Sequence, residues 1–86
     1  MKETNADFWK RDLRFILPTY GERNIAFSRG EGAWLYDVEG RKYLDFLSGI
    51  GVNILGYSHP RMVRVIKDQA EKLLHTSNLY LIPNQI

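Results

Sequence analysis

Residues 33–46 read AWLYDVEGRKYLDF, and this stretch decides the fold. Ala33 to Asp37 reads as a strand with aromatic and apolar side chains on both faces. A Val38-Glu39-Gly40 connection follows, and Lys42 to Phe46 returns as the partner strand. Aromatic and apolar residues on either side of a glycine-containing connection predict a β-hairpin, with Gly40 free to take positive φ. A two-stranded hairpin is marginal in water, so it requires a third strand or a helix. On the N-terminal side, Ile25 to Ser28 supplies a short strand, and Arg29-Gly30-Glu31-Gly32 reads as the turn into the hairpin.

The flanks are helical. Asn5 reads as an N-cap with Asp7 in the first turn. Trp9, Leu13 and Ile16 follow as an i, i+4, i+7 stripe, and Pro18 stops the helix near Leu17. Beyond the hairpin, Gly49 to Gly56 is a glycine-punctuated apolar connection. A helix then starts at Pro60, a favoured first helical residue. It runs to about Leu74, with Val63, Ile66, Ala70, Leu73 and Leu74 on one stripe and Arg61, Arg64, Lys67 and Lys72 mostly opposite. Asp68 and Lys72 are spaced to pair. Residues 82–86, IPNQI, read as the approach to another helix, with Asn84 as its cap. The expected class is α+β: an N-terminal helix, a small antiparallel sheet of two or three strands, and an amphipathic helix.

Eighty-six residues make at most one small domain. The 2 Trp, 5 Tyr and 4 Phe are a large apolar payload for that length, so part of it is available to a partner or to the rest of a larger protein. With no cysteine, disulfides and thiolate chemistry are excluded. The start, MKETNADFWKRD, lacks the apolar core of a signal peptide, and no apolar run reaches bilayer length. A cytoplasmic location is the resulting expectation. A net charge of +2 is weak support for nucleic acid.

The residues that resemble chemical motifs fail on spacing. Gly30-x-Gly32 leads into a strand rather than a helix, which argues against a phosphate cradle. Gly49, Gly51 and Gly56 give GxGxxxxG, not the GxGxxG that opens directly into a helix. His59 and His75 sit at opposite ends of one helix, about 24 Å apart at 1.5 Å per residue, and cannot share a metal. Ser48, Ser58 and Ser77 lie in no nucleophile motif, and the hairpin acids Asp37, Glu39 and Asp45 form no evident acid/base pair. His59 reads as a cap or a packed side chain, Ser58 as a local hydrogen-bonder. Arg61, Arg64, Lys67 and Lys72, interrupted by Asp68 and Glu71, read as a solvated helix face. On the residues alone, three classes stay open: a piece of a larger protein, a stand-alone interaction module that dimerises, and a small basic nucleic-acid binder.

The ordered set Gly30, Gly32, Asp37, Gly40, Tyr43-x-Asp45-Phe46, Gly49 to Val52, Gly56 to Pro60 and Gln69-Ala70 resembles the N-terminal part of the class III pyridoxal-phosphate aminotransferases, nearest to the acetylornithine and ornithine group. The likeness runs from about Tyr20 to Gln85, and Tyr57 departs from it where the family usually has histidine. The resemblance implies the N-terminal part of a fold-type I aminotransferase of arginine and amino-acid metabolism. Residues 1–18 would be a helical arm, and residues 19–86 an incomplete small domain. It implies pyridoxal phosphate in the parent enzyme, with 2-oxoglutarate as acceptor and a small amino acid as donor. The phosphate loop, Schiff-base lysine and carboxylate-binding arginine of the family lie downstream. The expectation is therefore no catalytic, cofactor-binding or metal-binding residue here, no stable cofactor binding and no activity in isolation. It also implies Tyr20, Gly49, Ile50 and Val52 on the substrate side, and Ser77 and Asn78 near the interface of a homodimer.

Overall fold

The computed structural model describes residues 2–85. In chain order it contains an arm helix (Asn5–Phe15), three strands β1 (Phe27–Glu31), β2 (Trp34–Asp37) and β3 (Lys42–Leu44), a one-turn element (Ser48–Gly51), a long helix (Pro60–Lys72) and a 3-10 turn (Pro83–Gln85). The strands form one antiparallel sheet in sequence order, as expected for an α+β segment. The hairpin predicted from AWLYDVEGRKYLDF is present, with Trp34 opposite Leu44, Leu35 opposite Tyr43 and Tyr36 opposite Lys42. Gly40 has φ 86° in its connection.

Several boundaries differ from the sequence reading, and β2 and β3 are shorter than expected, starting at Trp34 and stopping at Leu44. β1 continues through Arg29, Gly30 and Glu31, which were expected to turn; Glu31 pairs with Trp34, so only Gly32 and Ala33 make the bend. The long helix ends at Lys72, with Leu73 extended. Asp68 and Lys72 are not among the ion pairs of the described residues. At the end of the chain Asn84 donates to the Gln69 side chain at 2.8 Å instead of capping a new helix; Ile86, part of that reading, lies outside the described residues.

The arm helix is capped by Thr4. The Thr4 hydroxyl accepts from the Asp7 N–H and the Asp7 carboxylate accepts from the Thr4 N–H, a reciprocal box that satisfies two otherwise unpaired donors. Asn5, expected as the cap, does something else. Its carboxamide nitrogen donates to Asp37 Oδ2 at 3.0 Å, and its oxygen accepts from the Ala26 N–H at 2.8 Å. A side chain one residue inside the helix is free for tertiary bonding once the preceding residue has taken the cap. The helix ends at Phe15, short of Leu17, with Ile16 already extended, consistent with the bias that Pro18 imposes upstream.

Asp37 is the centre of this assembly and is only 2% exposed. Oδ1 accepts from the Glu39 and Arg41 N–H groups at 2.9 and 2.8 Å. Oδ2 accepts from Asn5 and from the Tyr43 hydroxyl, the latter at 2.9 Å. Burial alone would push its pKa up, but the Asn5, Arg41, Tyr43 and Glu39 donors outweigh it and hold the carboxyl down at about 2. One ionised side chain thus closes the β2–β3 turn, fixes Tyr43 across the hairpin and anchors the arm helix. Phe27 packs edge-on against Tyr43, centroids 5.4 Å apart.

No hydrophobic side chain among the described residues is fully buried, while Phe46, Ile54, Leu74, Leu79 and Leu81 are largely exposed. The radius of gyration is 17.2 Å, against about 12 Å for a compact domain of this length. Among the described residues the broad contacts between elements lie within the sheet, and most of the apolar stripe of the long helix is exposed.

Two outcomes follow. The isolated chain should unfold in a broad, weakly cooperative transition and bind a hydrophobic dye strongly; a sharp melting transition of a monomer would contradict this. In acid, Asp37 binds protons more readily unfolded than folded. Its contribution is complete above the ordinary value of 3.8 and is lost as the pH falls toward about 2. The carboxyl-carbon resonance of Asp37 reads this directly, and a titration midpoint near 4 would show that the network is not formed.

Candidate functional site

β3 leads into a second carboxylate, Asp45. Its Oδ1 accepts from the Leu47 and Ser48 N–H groups at 2.8 and 3.1 Å. Its Oδ2 accepts a short hydrogen bond from the Tyr57 hydroxyl. That bond, with the two backbone donors, holds the Asp45 carboxyl below the usual range and raises the Tyr57 phenol above its own. Asp45 is therefore an anion that organises the backbone after the sheet.

What it organises is unusual. Ser48, Gly49, Ile50 and Gly51 all have positive φ, at 52°, 62°, 66° and 74°, and form a left-handed turn. Ile50 and Gly51 donate their N–H groups to the Leu47 carbonyl, while Val52 and Asn53 donate to that of Ser48. Glycine accepts this geometry freely. Ile50 does not: at φ 66°, ψ 54° a β-branched residue is a genuine outlier, costing about 1–2 kcal/mol. The turn leaves the Ile50 side chain 83% exposed. Strain of this kind persists only where the surroundings over-determine it, and it collects at functional sites.

The support comes from an interlock with β1. Gly32 and Tyr57 exchange backbone hydrogen bonds, 3.0 and 2.8 Å, and the Tyr57 ring lies on Gly30, where an added Cβ would be 2.5 Å from the ring. The Ser58 hydroxyl donates to the Gly30 carbonyl at 2.8 Å, so Ser58 ties two segments together and is more than a local partner. Gly56 passes so close that an added Cβ would meet the Gly32 carbonyl at 2.7 Å. His59 caps the long helix, Nδ1 accepting from the Arg61 N–H, as the sequence suggested. The glycines of the first pair thus serve close packing.

Of the substrate-side residues expected from sequence, the structure places Gly49 and Ile50 together in the left-handed turn. Val52 follows directly, lining with Met62 and Ile66 an apolar groove of about 410 Å³. Tyr20 lies on the connection before β1, exposed, with the Arg23 guanidinium 6.0 Å from its ring centre. Ser77 and Asn78 are exposed; Ser77 has φ 75° and its hydroxyl accepts from the Leu79 N–H. The sequence names Asp45 among the hairpin acids but gives it no role, because no local feature ties it to a tyrosine twelve residues on.

A lysine that joins a carbonyl group is desolvated to lower its pKa. Here Lys2, Lys10, Lys42, Lys67 and Lys72 are all exposed, with the Lys42 ammonium over the Trp34 ring at 4.1 Å. The N-terminus of the long helix is occupied by its own His59. Among the described residues no group of acids and histidines is placed to hold a metal, and no helix is long and apolar enough to cross a membrane.

Comparison with known proteins agrees with this geometry. Residues 17–85 match the family described as aminotransferase class-III. The chain is 51% identical over 81 residues to the acetylornithine aminotransferase of Synechocystis sp., covering 93% of this chain and 19% of that protein. Among solved structures, acetylornithine aminotransferase from Elizabethkingia anophelis superposes with a TM-score of 0.87 at 34% identity, over 93% of this chain and 21% of that one. Ornithine aminotransferase from Toxoplasma gondii gives 0.86 at 31%, over 93% and 19%. The chain thus spans about a fifth of the length of the relatives it matches.

Two glycine substitutions separate packing from backbone strain. Gly32→Ala meets open space and bears only the positive φ, costing about 1–2 kcal/mol. Gly56→Ala bears the same strain and strikes the Gly32 carbonyl, adding about 1–3 kcal/mol. Parallel unfolding of the two variants in one background checks the order; equal losses would show that the Gly56–Gly32 approach is not tight.

Proposed function

Because the chain belongs to the class-III aminotransferases, we propose that it is the N-terminal segment of a pyridoxal-phosphate transaminase moving an amino group from an ornithine-like diamine, free or acylated, to 2-oxoglutarate. In this reading residues 1–18 form an arm and residues 19–86 part of the small domain. Tyr20, Gly49, Ile50 and Val52 line the substrate side, and Ser77 and Asn78 approach a second subunit. The rest of the enzyme supplies the groups that hold the cofactor, which acts as electron sink when bound. The segment alone is inactive, since it offers no desolvated lysine.

The observation that carries the reading is the left-handed turn. It fixes an aliphatic side chain where the backbone itself opposes the conformation. An exposed isoleucine suits the methylene stem of a diamine, where each buried CH₂ is worth about 0.8 kcal/mol. The uncovered apolar faces of the long helix and of residues 79–81 support the same reading, as surface awaiting the remainder of the protein.

Two experiments bear on it. The coding sequence should continue in frame past Ile86 into a complete transaminase, and an in-frame stop in the natural gene would overturn the segment reading. In that complete enzyme, Ile50→Ala should raise the donor KM by about 5–10-fold with kcat little changed, the signature of lost uniform binding. An unchanged KM would remove Ile50 from the pocket.

A further inference from the structure

We infer that Asp45 and Tyr57 are positioning residues for the substrate wall: the Tyr57 hydroxyl, acting through the Asp45 carboxylate, holds the left-handed turn that presents Ile50. The inference rests on the proposed place of Ile50 at the substrate.

A strained turn needs fixed ends. Its exit is held by the Val52 and Asn53 N–H groups, both on the Ser48 carbonyl at 2.8 and 2.9 Å. On its entry side, Asp45 takes the Leu47 and Ser48 N–H groups. A carboxylate on a single Cβ can rotate, and rotation would release both donors. What stops the rotation is the second oxygen, engaged by the Tyr57 hydroxyl.

Tyr57 is itself held in place from two sides. Its backbone is paired with Gly32, and its ring rests on Gly30. The sheet edge therefore sets Tyr57, Tyr57 sets Asp45, Asp45 sets Ser48, and the turn sets Ile50. Neither Asp45 nor Tyr57 has to touch the substrate in this scheme. This also gives meaning to the tyrosine that stands where the resemblance leads one to expect histidine: a hydroxyl at the end of a phenol ring reaches the carboxylate of a residue twelve positions earlier.

The test uses the complete enzyme carrying this segment. Tyr57→Phe keeps the ring and the Gly32 pairing and deletes only the hydroxyl. The donor KM should rise about 3–10-fold, the size expected from one lost hydrogen bond, with kcat within about twofold. Combined with Ile50→Ala, the double variant should match Ile50→Ala alone within about twofold, because a positioning residue has nothing left to position. Multiplying effects in the double variant would overturn the inference, as would an unchanged KM in Tyr57→Phe when Ile50→Ala raises it. If Ile50→Ala itself leaves KM unchanged, the place of Ile50 fails and the inference falls with it, a result distinguishable from the other two. Should Tyr57→Phe not fold, Asp45→Asn enters the same cycle; it keeps the shape and loses the anion, and the same coupling with Ile50→Ala is required.

Discussion

The fold of this segment depends on the ionised Asp37 carboxylate. In most small domains a packed apolar centre fixes how elements meet; here directional bonds to one acid do so. Four donors from the arm helix, the turn and β3 converge on its two oxygens. Each hydrogen bond is worth only about 0.5–1.5 kcal/mol net, but leaving a buried acceptor unmatched costs more than making the bond gains. Asp37 therefore specifies an arrangement more than it stabilises one. The apolar surface is left over, and its burial remains available to drive docking onto something larger.

Asp45 repeats the device eight residues later. Both acids follow a run of strand residues, both accept N–H groups within the next four positions, and both hold a tyrosine hydroxyl with the other oxygen. The local half of this arrangement is a familiar property of aspartate at the start of a turn. The tyrosine half is tertiary, and it converts a local turn into a fixed corner. In one case the corner returns the chain into the sheet; in the other it forces a left-handed turn.

This division also explains what the sequence disclosed. Local patterning made the hairpin, the long helix and the His59 cap legible, since each depends on residues close in sequence. The Arg29–Glu31 strand was hidden because Gly30 and Gly32 read as turn residues. Gly30 is glycine for a remote reason, the Tyr57 ring above it. Asn5 read as a cap because the cap preference does not separate Thr4 from Asn5; only the position of Asp37 in space does. Gly49 and Gly51 permitted a left-handed turn, but Ser48 and Ile50 gave no sign of it, since neither favours positive φ. Only the resemblance to a known family drew attention to Ile50, and it did so without indicating how the residue is held.

Exposure could not have singled out Ile50. Phe46, Ile54 and Leu79 are as exposed or more so, at 91%, 86% and 86% against 83%, and all are accounted for by the lack of a covering partner. What separates Ile50 is its backbone. Among the described non-glycine residues, positive φ occurs only at Ser48, Ile50, Ser58 and Ser77, and Ile50 alone of these is apolar and β-branched. An exposed side chain waiting to be buried gains nothing from a strained backbone, because a relaxed one would serve burial equally well. A side chain that must stand at one place relative to a substrate does gain, provided that neighbouring bonds fix the strain. The Asp45–Tyr57 pair supplies such bonds, and that coincidence of strain and support is what separates the Ile50 turn from the merely uncovered faces.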